Sequence, residues 1–274
     1  MTQPHKPVID HYQAYDEDAR FTSRHGMVEF LTTLRYIDRY LKPGDRVLEI
    51  GAASGRYSHH LAQAGYLVDA VELVPHNIDV FRENTKPGEC VTIVQGDALD
   101  LAAFADDTYD LTLLLGPLYH LFTLDEKRRA VCEAIRVTKP GGVIFAAHVI
   151  SDGCILDEGF ARKAIDVPGY IAKGFIDPET FAVSVSPEEI FDLVRKEEID
   201  EVMRGLPVTR LHYVAADGYS QCIREAVDAM DDATFDLYLR YHFATCERPD
   251  MVGMTAHALD VFRKDSRVGF EMPG

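Results

Sequence analysis

One stretch limits what this chain can fold into: Val47-Leu-Glu-Ile-Gly-Ala-Ala-Ser-Gly-Arg-Tyr57. Val47, Leu48 and Ile50 form a short apolar run, the pattern of a parallel strand buried on both faces. Glu49 stands inside that run, and Gly51, Ala52, Ala53 and Gly55 follow before helical spacing begins around Tyr57. Small residues at alternate positions let a backbone approach a ligand closely, and a helix start offers unpaired N–H groups beside it. A dinucleotide-binding turn places its third glycine one residue beyond Gly55, where this chain has Arg56. The spacing therefore excludes a pyrophosphate cradle.

Four more strand signals follow in order. Leu67-Val-Asp-Ala-Val-Glu-Leu73 ends in an acid, Glu72, placed to accept hydrogen bonds from both hydroxyls of a ribose. Val91-Thr-Ile-Val-Gln-Gly-Asp-Ala-Leu99 closes on Gly96-Asp97. Tyr109 to Leu121 runs through Leu115 and Gly116 to Tyr119 and His120, and Val137 to Ala147 contains Pro140 and a turn-forming Gly-Gly pair at Gly141 and Gly142. Strands and helices alternating over residues 45–149 predict a parallel, doubly wound sheet.

This set of signals resembles the class I methyltransferases that use S-adenosylmethionine (SAM). The acid-x-Gly-x-Ala-x-Gly pattern of Glu49 to Gly55 is similar to their first motif, and Val137-Thr-Lys-Pro-Gly-Gly142 to their turn before strand five. Gly116-Pro-Leu-Tyr-His-Leu121 is closest to the bacterial small-molecule type related to quinone-biosynthesis methyltransferases. The chain departs from the family in having Ala52-Ala53 where Gly-x-Gly or Cys-Gly is usual, and Glu49 where Asp is common. Ala remains small and Glu keeps the carboxylate. The resemblance implies a seven-stranded, mainly parallel α/β sheet with helical cap insertions. Leu206–Ala215 and Ala256–Arg263 would supply its closing antiparallel pair. It also implies SAM as cofactor, with S-adenosylhomocysteine as product. The cofactor would be held by Glu49, Gly51, Ala52, Ala53, Gly55, Tyr57, Glu72, Leu73, Asp97, Ala98, Leu99, Leu115 and Gly116, with Asp97 bonding the adenine amino group.

The expected organisation is one domain over 1–274: an N-terminal helical segment (1–44), a SAM-binding core (45–149), and cap insertions at 150–185 and 217–255. Helical spacing covers 8–42 up to Pro43-Gly44, and 150–185 reads as irregular. Ser186-Pro-Glu-Glu189 has the form of a capping box and predicts a helix start, and 218–246 reads as two helices. A net charge of −17 with no basic cluster argues against a nucleic-acid partner. Five dispersed cysteines without a CxxC pair or signal peptide fit a cytoplasmic protein, and no apolar run has membrane-spanning length.

Tyr119 and His120 are the candidate catalytic residues, because they follow strand four, where the resemblance implies that the methyl group is presented. A histidine there has a pKa near working pH and suits a base, while packing is its alternative role. His148 after strand five either faces substrate or is a satisfied loop histidine. Tyr12, Tyr15 and Arg20 precede the first long helix and are candidates for folding over the cofactor, with a solvated helix face as the alternative. His242, Cys246 and His257 are too irregularly spaced to predict a metal site. Three functions remain open: methyl transfer to a small molecule, another SAM-dependent reaction, or non-catalytic SAM binding.

Overall fold

The computed structural model describes residues 6–13, 15 and 22–266. Strand β1 (Arg46–Ile50) is buried at every position after its first, and parallel strands β2 (Leu67–Glu72) and β4 (Tyr109–Leu114) flank it. With β3 (Val91–Gln95), β5 (Thr138–Val149), β6 (Val208–Ala215) and β7 (His257–Lys264), they form a seven-stranded sheet in the order β3-β2-β1-β4-β5-β7-β6. Only the pairings of β7 with β5 and β6 are antiparallel. The expected doubly wound α/β fold is therefore present.

Alternation along β1 divides the core between the two faces of the sheet. Val47 packs with Phe30, Ile37, Leu61 and Phe145, while Leu48 and Ile50 pack with Leu114, Ala130 and Ile135. Helices α1 (Lys6–Tyr12), α2 (Arg24–Ile37), α3 (Arg56–Gln63), α4 (Pro75–Asn84) and α5 (Leu124–Val137) belong to this framework. Local chemistry sets their starts. The Ser23 hydroxyl accepts the Gly26 N–H at 3.2 Å, Pro75 opens α4, and Thr123 with Glu126 forms a reciprocal capping box on α5.

Three expectations need correction. Residues 8–42 hold two helices, and the second ends at Ile37 rather than continuing to Pro43. The irregular segment 150–185 contains α6 (Ser151–Cys154), a π-helix (Ile155–Ala161) and α7 (Val167–Ala172). The Ser186 signal yields only a 3-10 turn, Pro187–Glu189, and the helix begins ten residues later as α8 (Lys196–Met203). Ile190 at φ 70° breaks the helical path, and its carbonyl is taken by His120. Val194 then bonds Val149 and Ser151 through the backbone. Tertiary partners override the local cap. The expected pair of helices in 218–246 is present as α9 (Arg224–Asp228) and α10 (Asp232–Thr245), followed by α11 (Pro249–Val252). Among the described residues, no helix is long and apolar enough to cross a membrane.

Candidate functional site

The strand order reverses between β1 and β4, and a crevice opens outside their carboxyl ends, the usual ligand position in open α/β sheets. Gly51 turns the chain there at φ 76°, and a Cβ on it would lie 2.7 Å from Pro117 Cδ. The crevice is open to solvent along one side. Glu49, Gly51, Ala52, Ala53, Tyr57, Glu72, Leu73, Asp97, Ala98, Leu115 and Gly116 all line it.

Glu72 ties the turn together. Its carboxylate accepts the N–H groups of Ala53 (2.8 Å) and Val74 (2.9 Å) and the Asn77 amide (3.3 Å). These bonds fix the carboxylate at the lip of the crevice, which it lines. Burial raises its pKa, and the bonds from Val74, Ala53 and Asn77 oppose that rise. Glu49 is 2% exposed and accepts a bond from the Ser58 hydroxyl of α3. Burial pushes its pKa up to about 8, with the Ser58 bonds opposing and the nearby Glu72 adding to the rise. Asp97 is shaped by the Leu99 N–H, which donates to its carboxylate at 2.9 Å.

Gly51→Ala tests the turn. The variant meets both an unfavourable left-handed backbone and the Pro117 ring, so a loss of about 1–3 kcal/mol is expected in urea unfolding. Unchanged stability would show that the turn relaxes freely.

A second cavity adjoins the crevice, and Tyr12, Tyr119 and His257 line both. His120 stands in the 3-10 turn Pro117–His120 and has both ring nitrogens engaged. Its Nδ1 lies 2.9 Å from the Ile190 carbonyl, which only accepts, so Nδ1 carries the proton. Nε2, 3.1 Å from the Tyr12 hydroxyl, is then the acceptor of that pair. Burial lowers the His120 pKa to about 4, the Ile190 bond opposing and His11 adding to the fall. The imidazole is therefore neutral near pH 7. Tyr119 donates its hydroxyl to the Leu115 carbonyl at 3.1 Å, and Phe191 packs 5.2 Å from the His120 ring centre.

Comparison with known proteins decides what this framework is. A family model described as a methyltransferase domain matches residues 48–146, the span of β1 to β5 that builds the crevice. Residues 48–146 form a domain of the methyltransferase type. It is 31% identical over 169 residues to a ubiquinone biosynthesis O-methyltransferase of Methylocella silvestris, covering 61% of this chain and 62% of that one. It is 30% identical over 152 residues to a ribosomal protein L11 methyltransferase of Geobacillus thermodenitrificans, covering 53% and 42%. The chain thus spans less than two thirds of the length of either relative. A SAM-dependent methyltransferase from Methanosarcina mazei superposes with a TM-score of 0.54 at 20% identity, covering 85% of this chain and 98% of that one. At that identity the likeness concerns the fold alone.

Not every expected residue meets the methyltransferase crevice. Gly55 lies behind it at φ 90° as the first residue before α3, where a Cβ would sit 2.5 Å from Phe81. Its smallness serves helix packing. Leu99 packs into the core beside the sheet and reaches the site only through its N–H to Asp97. Tyr12 lines the crevice, whereas Tyr15 lines only the second cavity. Arg20 lies outside the described residues. His148 is 4% exposed; Ala147 and Val149 line the cavities, so the pleat sends His148 to the opposite face.

Sequence reasoning missed Glu29, Asp217 and the place of His257. His257 opens β7, and because β7 runs against β5 its first residue lies at the ligand edge. Asp217 follows the carboxyl end of β6 at the same edge. The reversed direction of strand seven is the signal for His257, and the carboxyl end of strand six is the signal for Asp217.

Proposed function

We propose that the protein is a SAM-dependent methyltransferase acting on an apolar small molecule. The observation that carries this reading is the junction of a carboxylate-bearing crevice with an aromatic-lined cavity at Tyr12, Tyr119 and His257. The crevice suits SAM: Gly51 leaves no Cβ beside Pro117, Glu72 presents a carboxylate for the ribose, and Asp97 lines the same space for the adenine amino group. Glu49, buried beside these, is a carboxyl that a cationic end would ionise. When bound, SAM supplies a methyl group already activated by a sulfonium.

The chain's own task is then to hold the acceptor in line and exclude water. Alignment of this kind is worth ~7–11 kcal/mol of a barrier. Ile155, Tyr170, Val183 and Phe191 line the acceptor cavity, so segments 150–185 and 217–255 serve as its cap within a single domain. His120, bonded to Tyr12, orients that hydroxyl at the junction instead of meeting the acceptor itself. A concave, largely apolar cavity favours a small molecule over the ribosomal protein named for one relative. The net charge of −17 disfavours RNA. Five cysteines standing as thiols support a cytoplasmic location.

Two measurements test the reading. Calorimetry is expected to show SAM binding that Glu72→Ala weakens by at least about tenfold, because the ribose partner and the Ala53 tether are both lost. Equal affinity in the variant would remove Glu72 from the site. Incubation with SAM and a metabolite extract is expected to give a small product heavier by one CH2 unit. Methyl incorporation into ribosomal protein or RNA instead would overturn the acceptor class.

A further inference from the structure

We infer that His257, held by Asp217, is the general base that takes the proton from a hydroxyl acceptor, so that the enzyme makes a methyl ether. This rests on the SAM-dependent reading above and specifies its substrate class. Asp217 is fully buried, and its Oδ2 lies 2.8 Å from His257 Nδ1. Its other oxygen accepts the Thr255 hydroxyl and the N–H groups of Ala256 and His257, the last two at 3.1 Å. Burial acts to raise the Asp217 pKa, but the bonds from His257 and Thr255 prevail and hold it below the usual carboxylate range. Glu29 lies 3.6 Å from the same Nδ1.

An ionised carboxylate against Nδ1 fixes the proton on that nitrogen, which leaves Nε2 as the ring's basic atom. The pair sits where the cofactor crevice meets the acceptor cavity, since His257 lines both. Nothing in methyl transfer requires a carboxylate–imidazole pair there unless the nucleophile arrives protonated. The acceptor cavity also distinguishes nucleophiles. Its two lining carboxylates, Glu158 and Glu189, are already engaged by Arg162 and by Tyr170. The lining Arg162 and Arg224 match these two acids in number, so the cavity carries no net negative charge to hold a cationic amine, and its aromatic walls suit a neutral phenol or enol. The step balances: the acceptor O–H proton passes to His257 Nε2 as the oxygen lone pair forms the O–CH3 bond. The S–CH3 electron pair returns to sulfur, and the imidazolium later gives its proton to water.

The test uses para-nitrophenol, whose phenolate absorbs in the visible, with the full chain and S-adenosylhomocysteine. Asp217 and Glu29 are the carboxylates beside His257 Nδ1, His120, Tyr12 and Tyr119 share its cavities, and all five are unchanged in His257→Gln. At about pH 6 the wild type is expected to raise the phenolate-to-phenol ratio of the bound probe at least about tenfold over that in water. His257→Gln should bind S-adenosylhomocysteine normally and hold the probe neutral. A titration of the wild type alone reads the same ionisation should the variant fold poorly. Equal ionisation in both proteins, an unperturbed probe on the wild type, or no probe binding overturns the base. Loss of the phenolate signal on adding a chelator overturns it in favour of a cation held by Glu29, Asp217 and His257, whose ligand atoms lie within 4.8 Å of one another. Failure of S-adenosylhomocysteine and SAM to bind at all would instead defeat the methyltransferase reading.

Discussion

Glu49→Gln is expected to make the ligand-free protein more stable at pH 8 by several kcal/mol, with the advantage shrinking as the pH falls to about 4.5. The Glu49 carboxyl is buried behind α3, and burial raises its pKa from 4.5 to about 8, against the opposing bonds from Ser58. Its folded-state pKa thus exceeds the unfolded value. Between these values the folded protein keeps a proton that the unfolded chain releases, so stability falls as pH rises through the window. A shift of that size corresponds to a cost on the order of 5 kcal/mol above pH 8. Glutamine preserves an oxygen for the Ser58 hydroxyl and never ionises. Urea unfolding of both proteins across this range measures the difference; parallel pH profiles would show that Glu49 ionises without cost.

The same group links stability to ligand binding. A sulfonium or ammonium placed near Glu49 favours the carboxylate, so SAM binding near pH 7 should release close to one proton in the wild type and none in the variant. Calorimetry in two buffers of different ionisation enthalpy reads that proton. The buried acid is therefore a cost to the empty crevice that a cation offsets.

Why the crevice was readable and the base was not follows from how each is built. β1, β2 and β4 are buried parallel strands, and such strands leave apolar runs whose ends are marked by Glu72 or Gly116. Each of these signals is contained within a few consecutive residues. The Glu72 bond to Ala53 crosses 19 residues, and the Asp217 bond to His257 crosses 40, so no local pattern records either. Gly55 looked like a ligand residue because a glycine needed for close helix packing is indistinguishable in sequence from one needed for a ligand. Ser186 carried a sound cap signal, yet the carbonyl of Ile190 is required by His120, and the pairing of Val194 with Val149 fixes the path onward. Local propensity sets helix ends only where no distant partner competes.

At acid pH the balance reverses, and His148→Leu is expected to show it. The pKa of His148 is lowered to about 3 by burial, with Lys127 and Arg210 adding to the fall, and its Nε2 is buried without a hydrogen-bond partner. His120 and His242, each lowered to about 4 chiefly by burial, act in the same direction. A histidine whose folded pKa lies below its unfolded value stabilises fully above pH 6.5. As the pH falls toward the folded pKa, the unfolded chain takes up the proton first, and stability is lost. Between pH 6.5 and 4.5, three such histidines outweigh the opposite gain from Glu49. Leucine at 148 removes one of these terms and also the unsatisfied nitrogen, whose burial costs about 1–3 kcal/mol. The stability of the variant relative to wild type should rise by about 3 kcal/mol between pH 7 and pH 4.5. Urea midpoints at the two pH values decide the matter. If the difference is the same at both, His148 is protonated in the fold, and the face of β5 away from the cavities is wetter than its packing implies.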